Sequence, residues 1–381
     1  MRVLLICDLE DWILGEVARN VAQRLSDYMP VTVRASNSDR FQSRFHDLQR
    51  EHDVVHFLSP WDFYALGKRT SLPTVLTLWH MVDWGLFDTH VDRIDTLCVT
   101  SEQWMDRVRT HILPELPTRR VRYGLDTDRF ARDHSSRSRF LRATGLGEEV
   151  LTFGFAGKAS SNQQDRKGLD RLWACLLHLK AECELSFVVR VAGPDWPQEM
   201  IHPELRSVVQ IEPYIDSQCL PEFYSSLDYY VCTSRQEGGP YPVLEAMSCE
   251  CVVLSTPVGV VPEILAHGEN GFFLREQTLV SDFVDIVRHT AHDREFRTAC
   301  GQAARDTVAR AFSWNVVVDP LEYRDIYNTA MRFYASRPAR ERLGLLLRSS
   351  LGPRIDRLHS TPGLSSAARR VMWVRKWWQK R

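Results

Sequence analysis

Two glutamates, Glu237 and Glu245, flank a Gly238-Gly239-Pro240 turn and are the first candidates for chemistry in this 381-residue chain. The turn leads into a pattern typical of a helix start, where free backbone N–H groups and the helix dipole favour an anion. Carboxylates beside an anion site are better suited to accepting hydrogen bonds from sugar hydroxyls than to touching phosphate. The arrangement indicates a binding site for a diphosphate that carries a sugar on each side. The spacing of Glu237 and Glu245 by itself, however, favours two solvated side chains.

The elements around this turn form a strand, a glycine loop, a helix and a second strand. The apolar run Tyr229–Cys232 predicts a buried parallel strand, and the run 251–254 predicts another. Between them, Val243, Leu244 and Met247 have helical spacing from about Tyr241, with Pro242 in the first turn. Such a unit places the helix start at the carboxyl edge of a parallel sheet, where ligands bind.

Length and composition indicate an ordinary globular chain. The length favours two domains, and 44% apolar with 25% charged residues is enough for a sizeable core. Nine cysteines without paired spacing indicate reduced thiols in a cytosolic protein. No apolar window reaches about 18 residues, and the first apolar run is too short for a signal peptide, so neither a membrane span nor a leader is expected.

The first half of the chain alternates strand and helix patterns. Strands are predicted at 3–7, 31–33, 54–58, 75–79 and 97–100, and helices at 14–28 and 41–50. Ser101 is expected to cap a further helix. This alternation predicts a doubly wound parallel sheet. The loop at 8–15 leads from its first strand into its first helix and could face an acceptor, with Asp11 and Gly15 as candidate residues.

The second half begins with a strand at 150–155 that ends in Gly157 and Lys158. After a polar loop, Lys167 precedes an apolar-periodic helix that runs to Leu179. Two lysines on one strand-to-helix loop, facing the helix start at Tyr241, would neutralise a diphosphate without a metal cation. The alternative for both is a solvated surface lysine.

The string that begins at Glu237 continues through Glu245-Ala-Met, a Val-Val strand, Thr-Pro-Val-Gly259 and Pro-Glu263-Ile to Asn270-Gly-Phe. This extended string resembles retaining glycosyltransferases of the GT-B fold, in particular family 4. The resemblance implies two Rossmann-like domains around a cleft. It implies that Glu237 holds hydroxyls of the transferred sugar and that Glu245 holds the ribose. The remaining donor-binding positions that it implies at the helix start are Gly239, Pro240 and Tyr241.

Other segments extend the resemblance with departures. The Thr-Leu-Trp-His80 string is similar to a family Thr-Leu-His-Asp segment whose histidine lies beside the donor sugar, and Met81 replaces the aspartate. We keep two interpretations of His80 open, a catalytic residue and a structural hydrogen-bonder. Lys158 lies at a position where members of the family usually have arginine. A single ammonium charge therefore replaces a guanidinium that could form two parallel hydrogen bonds. Tyr214 lies where relatives hold the nucleobase, although packing is the favoured interpretation.

Asp126 and Asp128 form an Asp-x-Asp pattern, which binds a metal in a different glycosyltransferase fold. Here the letters lie in a Gly-Leu-Asp-Thr-Asp-Arg-Phe turn, similar to the one that closes the first domain in family 4. We therefore interpret both aspartates as structural and predict no metal and no cofactor.

The predicted organisation is an acceptor domain at 1–145, a nucleotide-sugar domain at 146–318, a crossing helix at 319–336 and a basic tail at 337–381. The stretch 130–149 is predicted as a polar linker. The tail carries twelve Lys/Arg against two acidic residues, a net charge of +10, so the remainder of the chain carries −1 − 10 = −11. Its tryptophans among basic residues favour an anionic membrane surface; packing on the acidic body and a disordered tail are the alternatives.

These observations predict a metal-independent retaining glycosyltransferase that moves a sugar from a nucleotide diphosphate-sugar to a hydroxyl of a glycan or lipid-linked saccharide. The expected location is the cytoplasm, peripherally at the inner face of the cell membrane, with no nucleic-acid partner. The alternative is an inactive GT-B scaffold subunit at the membrane. The identity of the sugar, the base and the acceptor does not follow from the sequence.

Overall fold

The fold is that of a computed structural model, which describes residues 1–38, 41–80, 83–112, 115–158, 164–194, 196–212 and 215–338. It contains two parallel sheets of six strands, each covered by helices on both faces. The apolar strands explain this layering: a parallel strand that is apolar along nearly its whole length must be covered on both faces. In the first strand, for example, all five residues are buried.

The first sheet has the strand order β2-β1-β3-β4-β5-β6. Its strands are β1 (Val3–Cys7), β2 (Val31–Ala35), β3 (Val54–Phe57), β4 (Thr74–Leu78), β5 (Thr96–Val99) and β6 (Thr118–Arg120). The helices of this half are α1 (Ile13–Leu25), α2 (Phe41–Arg50), α3 (Pro60–Leu66), α4 (Trp84–Asp88), α5 (Glu102–His111) and α6 (Ser136–Thr144). The predicted doubly wound sheet is confirmed, and Ser101 caps α5 by accepting a hydrogen bond from the Trp104 amide.

The second sheet has the order β12-β11-β10-β7-β8-β9. Its strands are β7 (Leu151–Ala156), β8 (Phe187–Ala192), β9 (Val209–Glu212), β10 (Tyr229–Cys232), β11 (Val252–Ser255) and β12 (Phe272–Phe273). The helices are α7 (Gln164–Lys167), α8 (Leu169–Glu182), α9 (Leu220–Ser225), α10 (Tyr241–Ser248), α11 (Val261–Ile264), α12 (Leu279–Thr290), α13 (Arg294–Phe312), α14 (Trp314–Val317) and α15 (Pro320–Ser336).

The last helix, α15, returns to the first sheet. Tyr327 packs edge-on against the buried ring of His56 in β3, and its hydroxyl lies 3.2 Å from His56 Nδ1. The Tyr334 hydroxyl donates to the carbonyl oxygen of Ser71 at 2.8 Å. The chain therefore crosses between the domains twice, before β7 and after α14.

The segment predicted as a polar linker at 130–149 is wrong in part, because it contains α6. Leu141 on this helix packs with Val150 and Val188 of the second domain. Arg137 Nε lies 3.1 Å from both carboxylate oxygens of Asp228, beside β10. The helix thus belongs with the second sheet, and the boundary predicted at residue 145 lies too late. The buried face of α6 is short, and the charged residues around it obscure the helical periodicity of its apolar residues.

Two contacts mark the end of the described chain. Ser313 precedes α14 without a side-chain capping hydrogen bond and forms an isolated bridge with Leu125. Arg337, the first residue of the predicted membrane tail, pairs with the buried carboxylate of Asp95 at 2.8 Å. The rest of the tail from residue 339 lies outside the described residues. Within the described part of the chain, no helix is long and apolar enough to cross a membrane.

Candidate active site

The second sheet has its topological switch point between β7 and β10. These strands are neighbours, yet the chain leaves β7 towards β8 and leaves β10 towards β11, in opposite directions. Ligands of open α/β sheets bind in the crevice that such divergent connections leave at the carboxyl edge. The residues at this edge are Gly157 and Lys158 after β7, and Thr233 to Glu237 after β10.

Glu237 is the centre of this crevice and is 6% exposed. Arg166 Nη1 lies 2.6 Å from its Oε2, and Lys167 Nζ lies 2.7 Å from its Oε1. Ser234 Oγ donates to Oε1 at 3.0 Å. Burial by itself would raise the pKa of Glu237, but the two cations outweigh it and lower the pKa to about 2. Glu237 is therefore a buried and permanently ionised carboxylate at neutral pH.

Backbone contacts hold the two cations in place. Gly168 joins α7 to α8 with φ +64°, and any side chain there would overlap the Thr233 carbonyl oxygen. Thr233 Oγ1 donates to the Gly168 carbonyl at 2.8 Å, and the Arg235 amide donates to the Arg166 carbonyl at 2.8 Å. The short helix α7 is thereby fixed against the loop after β10. Lys167 thereby lies beside Glu237, and its contact with a diphosphate stays a prediction.

Arg166 was not among the predicted site residues. The available signal was the dibasic Arg166-Lys167 pair before the Gly168 turn, of which only the lysine was taken as a phosphate ligand. A local pattern could not show that both side chains reach one carboxylate, because that requires α7 to dock on the loop after β10. Arg166 now joins the candidate site as a second cation on Glu237.

Lys158 lies at the same edge of the sheet. It follows Gly157, whose Cβ position lies 3.5 Å from Lys167 Cε, and Trp196 Nε1 donates to the Gly157 carbonyl at 2.8 Å. Gly193 closes tightly over this turn, because a side chain there would overlap the Gly157 carbonyl oxygen. The two predicted lysines are thus on the same side of the sheet as Glu237. Of the two, Lys167 contacts the carboxylate of Glu237.

His80 enters the crevice from the first domain, at the carboxyl end of β4. Its pKa is lowered to about 4, by burial first, then by the positive charge of Arg166, with Glu237 opposing and Lys167 adding to the decrease. The backbone beside His80 lies against the loop of Glu237, because a side chain at Gly238 would overlap the Trp79 carbonyl oxygen. The imidazole is neutral at pH 7, so one ring nitrogen accepts and the other donates.

The glycine loop is closed by the first domain. A side chain at Gly238 would overlap the Trp79 carbonyl oxygen, and one at Gly239 would overlap the Tyr123 hydroxyl. Trp104 Nε1 on α5 donates to the Glu237 carbonyl at 2.8 Å. Both glycines thus admit the other domain, because a backbone without side chains permits the closest approach. The contact of Gly239 with the donor stays a prediction.

Tyr241, which follows Pro240, also contacts the first domain. Pro240 takes the N-cap position of α10 without a side-chain capping bond. The Tyr241 ring stacks on Tyr123 with centroids 4.4 Å apart, and its hydroxyl donates to the Gly124 carbonyl at 3.1 Å. The ring and hydroxyl of Tyr241 thus pack between the domains, and the donor contacts of Pro240 and Tyr241 stay predictions. Tyr123 is fully buried, and its hydroxyl has no hydrogen-bond partner among the described residues.

Glu245 has a different environment from Glu237. It is buried on α10 and accepts a hydrogen bond from the Tyr224 hydroxyl at 2.7 Å. Burial raises its pKa to about 7, against the lowering effects of that hydrogen bond and of Arg129. The structure therefore shows Glu245 bound to α9, and its predicted contact with a ribose stays a prediction. The pKa of Glu245 is thus raised and that of Glu237 lowered, although the two glutamates are only eight positions apart.

The acceptor-side predictions separate into two roles. Asp11 is exposed in the loop after β1. Gly15 is buried, and a side chain there would overlap the carbonyl oxygens of Leu9 and Glu10, so this glycine shapes the loop and does not line a ligand surface. Tyr214 lies outside the described residues, and its predicted place beside the nucleobase is not described here.

The Asp126-x-Asp128 turn forms local hydrogen bonds. Asp126 Oδ1 accepts from the Arg129 amide at 3.0 Å, and the Asp126 carbonyl accepts from the Phe130 amide at 2.9 Å. Among the residues that the structure describes, no group of three or more His, Cys, Asp or Glu side chains is arranged to hold a metal ion.

Comparisons with known proteins agree with this architecture. Residues 153–307 match the family model for glycosyl transferases group 1. The chain is 26% identical over 251 residues to a D-inositol 3-phosphate glycosyltransferase of Streptomyces avermitilis, covering 62% of this chain and 52% of that one. It is 23% identical over 303 residues to a GDP-mannose-dependent phosphatidylinositol monomannoside mannosyltransferase of Mycobacterium tuberculosis, covering 73% and 77%. The match thus spans about half the length of the first relative.

Among solved structures, Anabaena HepE in complex with UDP and glucose superposes with a TM-score of 0.69 at 16% identity, over 85% of this chain and 99% of that one. At this identity the likeness shows the fold alone, and that fold has the two parallel sheets described above. With the family model matching its second domain and this architecture throughout, the chain is similar to the group 1 glycosyl transferases and has the GT-B fold.

Proposed function

We propose that this protein transfers a sugar from a nucleotide diphosphate-sugar to a hydroxyl group of a glycan or lipid-linked saccharide, with retention of configuration and without a metal ion. The observation that carries this proposal is the meeting of His80 from the first sheet with the Glu237–Arg166–Lys167 cluster of the second. Groups from both carboxyl edges converge on one crevice, which is where a bisubstrate reaction needs them.

The charges suit a diphosphate. Arg166 and Lys167 contribute two positive charges and Glu237 one negative charge, so the cluster carries 2 − 1 = +1, and Lys158 follows β7 at the same edge of the sheet. A sugar-bound diphosphate has one negative charge on each phosphoryl group. As the glycosidic bond breaks, the leaving diphosphate gains charge, and fixed cations stabilise that state more than the ground state. Such cations take the electrostatic role that a divalent ion has elsewhere.

Glu237 fits the sugar end of the donor. Its carboxylate is ionised and held from two sides, which disfavours it as a nucleophile and fixes the direction of its remaining lone pairs. Those lone pairs can accept hydrogen bonds from sugar hydroxyls. We propose that the leaving phosphate takes the acceptor's proton on the face from which it departs. Attack on that same face gives retention.

The relatives suggest the donors to test. One is named for GDP-mannose, and the HepE structure contains UDP and glucose. We propose GDP-mannose and UDP-glucose as the first donors, and a polyol or saccharide acceptor. Membrane attachment through 337–381 remains part of the proposal, supported by its net charge of +10.

The test is donor binding and hydrolysis with EDTA present. Purified protein is mixed with UDP-glucose, GDP-mannose and other nucleotide-sugars, and thermal stabilisation and nucleotide release are measured. One donor should stabilise the fold and be hydrolysed slowly, and NMR of a transfer product should show the anomeric configuration of the donor. Indifference to every donor would favour the inactive scaffold. Activity that EDTA abolishes and Mg²⁺ restores would refute metal independence.

A further inference from the structure

The first sheet has a switch point of its own, between β1 and β3. These strands pair in parallel with Ile6 opposite Phe57, and the chain leaves β1 towards β2 but β3 towards β4. The Leu58 amide donates to the Ile6 carbonyl at 2.8 Å, so the two loops leave the sheet side by side. The same topological rule that locates the donor crevice in the second sheet therefore marks a second crevice here.

Two exposed tryptophans lie on these neighbouring loops. Trp12 precedes α1 and is 45% exposed, and Trp61 lies in the first turn of α3 and is 54% exposed. The Trp61 ring stands edge-on to Tyr64, with centroids 5.8 Å apart, so its orientation is supported from one side. Single exposed aromatic side chains are common on protein surfaces, but two of them at the ligand-binding edge of a sheet indicate a binding surface.

This crevice adjoins the candidate active site. Trp79, which precedes His80, donates from Nε1 to the Leu58 carbonyl at 2.6 Å. The loop after β3 is thereby bonded to the residue next to the histidine. A molecule that lies across the ends of β1 and β3 would present a hydroxyl towards His80 and the donor cluster.

The polar groups of the crevice are mainly carboxylates. Asp8 is half-buried at the end of β1, and Glu10 and Asp11 are exposed beside Trp12. Arg19 donates to the Glu10 carbonyl oxygen, so its guanidinium lies beside the backbone of this loop, whose side chains include three carboxylates. This charge disfavours a phosphorylated or carboxylated ligand and an anionic lipid surface. Carboxylates accept hydrogen bonds from hydroxyl groups, and indole rings offer flat apolar faces to the C–H face of a sugar.

We propose that Trp12 and Trp61 bind the acceptor and that the acceptor's recognised part is an uncharged saccharide. The proposal rests on the transferase function proposed above and adds the chemical class of the acceptor and its contact residues. Asp8 and Asp11 would receive its hydroxyl groups. A charge-bearing part of the acceptor, such as a lipid phosphate, would lie away from this crevice.

The experiment measures binding of simple glycosides to the full chain saturated with the nucleotide that binds it. The probes are the methyl α-glycosides of glucose, mannose and galactose, with methyl α-glucuronide as the charged match of the glucoside, followed by saturation-transfer NMR. At least one neutral glycoside should bind, and the glucuronide should bind at least tenfold more weakly than the glucoside. Failure of all neutral probes, or equal binding of the charged one, would overturn the proposal.

Variants separate this result from folding and from the donor site. Trp12→Ala and Trp61→Ala should each weaken glycoside binding at least tenfold and leave UDP or GDP binding unchanged, while Trp12→Phe should retain part of it. Tyr28→Ala is the control. It removes another aromatic side chain, which is 63% exposed and lies beyond the far end of α1. If the tryptophan variants behave like the control, the proposal fails although the donor site stands.

Two other outcomes are informative. Sedimentation with phosphatidylcholine–phosphatidylglycerol vesicles should be the same for the tryptophan variants and the unmodified chain. Vesicle binding that depends on Trp12 and Trp61, without glycoside binding, would reassign the surface to a membrane and refute our proposal. Glycoside binding without binding of any nucleotide would instead refute the transferase function while leaving a saccharide site.

Discussion

The Lys167 ammonium nitrogen lies 2.7 Å from a carboxylate oxygen of Glu237, a residue 70 positions later in the chain. The pair joins the α7 loop to the loop after β10, across the crevice between β7 and β10. Because the carboxylate is buried and held by Arg166 as well, it stays ionised, with its pKa near 2. The relationship links the proposed phosphate site to the proposed sugar site by a charge-assisted hydrogen bond.

Replacing Lys167 with alanine should weaken the binding of a nucleoside diphosphate by about ten- to a hundredfold, since a hydrogen bond to a charged group contributes about 1.5–3 kcal/mol. Binding of the corresponding nucleoside should change little. Calorimetry with UDP against uridine, and with GDP against guanosine, measures the difference. Lys68→Ala removes an exposed lysine far from the crevice and is the matched control. Equal losses for nucleotide and nucleoside would exclude Lys167 from the phosphate site.

Replacing Glu245 with glutamine should flatten the pH dependence of stability between about pH 4.5 and 7. The pKa of Glu245 is raised from 4.5 to about 7 in the folded state, so the folded chain holds a proton that the unfolded chain has lost. Its contribution to stability is full below pH 4.5 and is lost as the pH rises through 7. Glutamine keeps an acceptor for Tyr224 and cannot ionise.

Relative to the unmodified chain, Glu245→Gln should therefore gain stability on going from pH 5 to pH 8, by up to about 3 kcal/mol. Urea unfolding at both pH values measures this, and Glu269→Gln on the exposed surface is the control. If the two variants shift in parallel, Glu245 does not carry the raised pKa.

Adding a methyl group at Gly238 should separate the two domains. The Cβ of Gly238→Ala would overlap the Trp79 carbonyl oxygen, a backbone atom that has no rotamer with which to move aside. We expect a melting temperature lower by several degrees, which corresponds to about 1–3 kcal/mol, and a larger radius of gyration by X-ray scattering. Gly85→Ala, whose Cβ meets only the Asp83 side chain at 3.4 Å, should change neither.

Removing the Glu263 carboxylate should loosen the contact between α5 and the second domain. Its two oxygens accept from the Glu102 amide and from Arg120, each at 2.8 Å, and so cap the start of α5 from the opposite domain. Glu263→Ala should cost about 1–2 kcal/mol, as loss of an N-cap does. Hydrogen exchange at the first turn of α5 should accelerate, while that of α12 should not. Unchanged exchange at α5 would mean that the contact does not stabilise the closed arrangement.

Local patterns determined the strand and helix order of this chain. Alternation of buried strands with amphipathic helices predicted both parallel sheets, and Ser101 and the Gly238-Gly239-Pro240 turn marked helix starts, because these signals act within a few residues. Glu237 and Lys167 were named in advance through the resemblance to family 4, because spacing alone favoured solvated side chains at both positions. The helix α6 was missed, since its buried stripe is reduced to little more than Leu141 among charged residues.

Only the tertiary structure decided which of these residues meet and in what charge state. Arg166 became a partner of Glu237, and His80 came close to both, because strand order and domain closure bring together residues more than 70 positions apart. The two glutamates look alike in sequence, yet burial raises the pKa of Glu245, against the hydrogen bond from Tyr224, while two cations lower that of Glu237. Protonation depends on burial and neighbouring charges in space, which residue spacing does not specify.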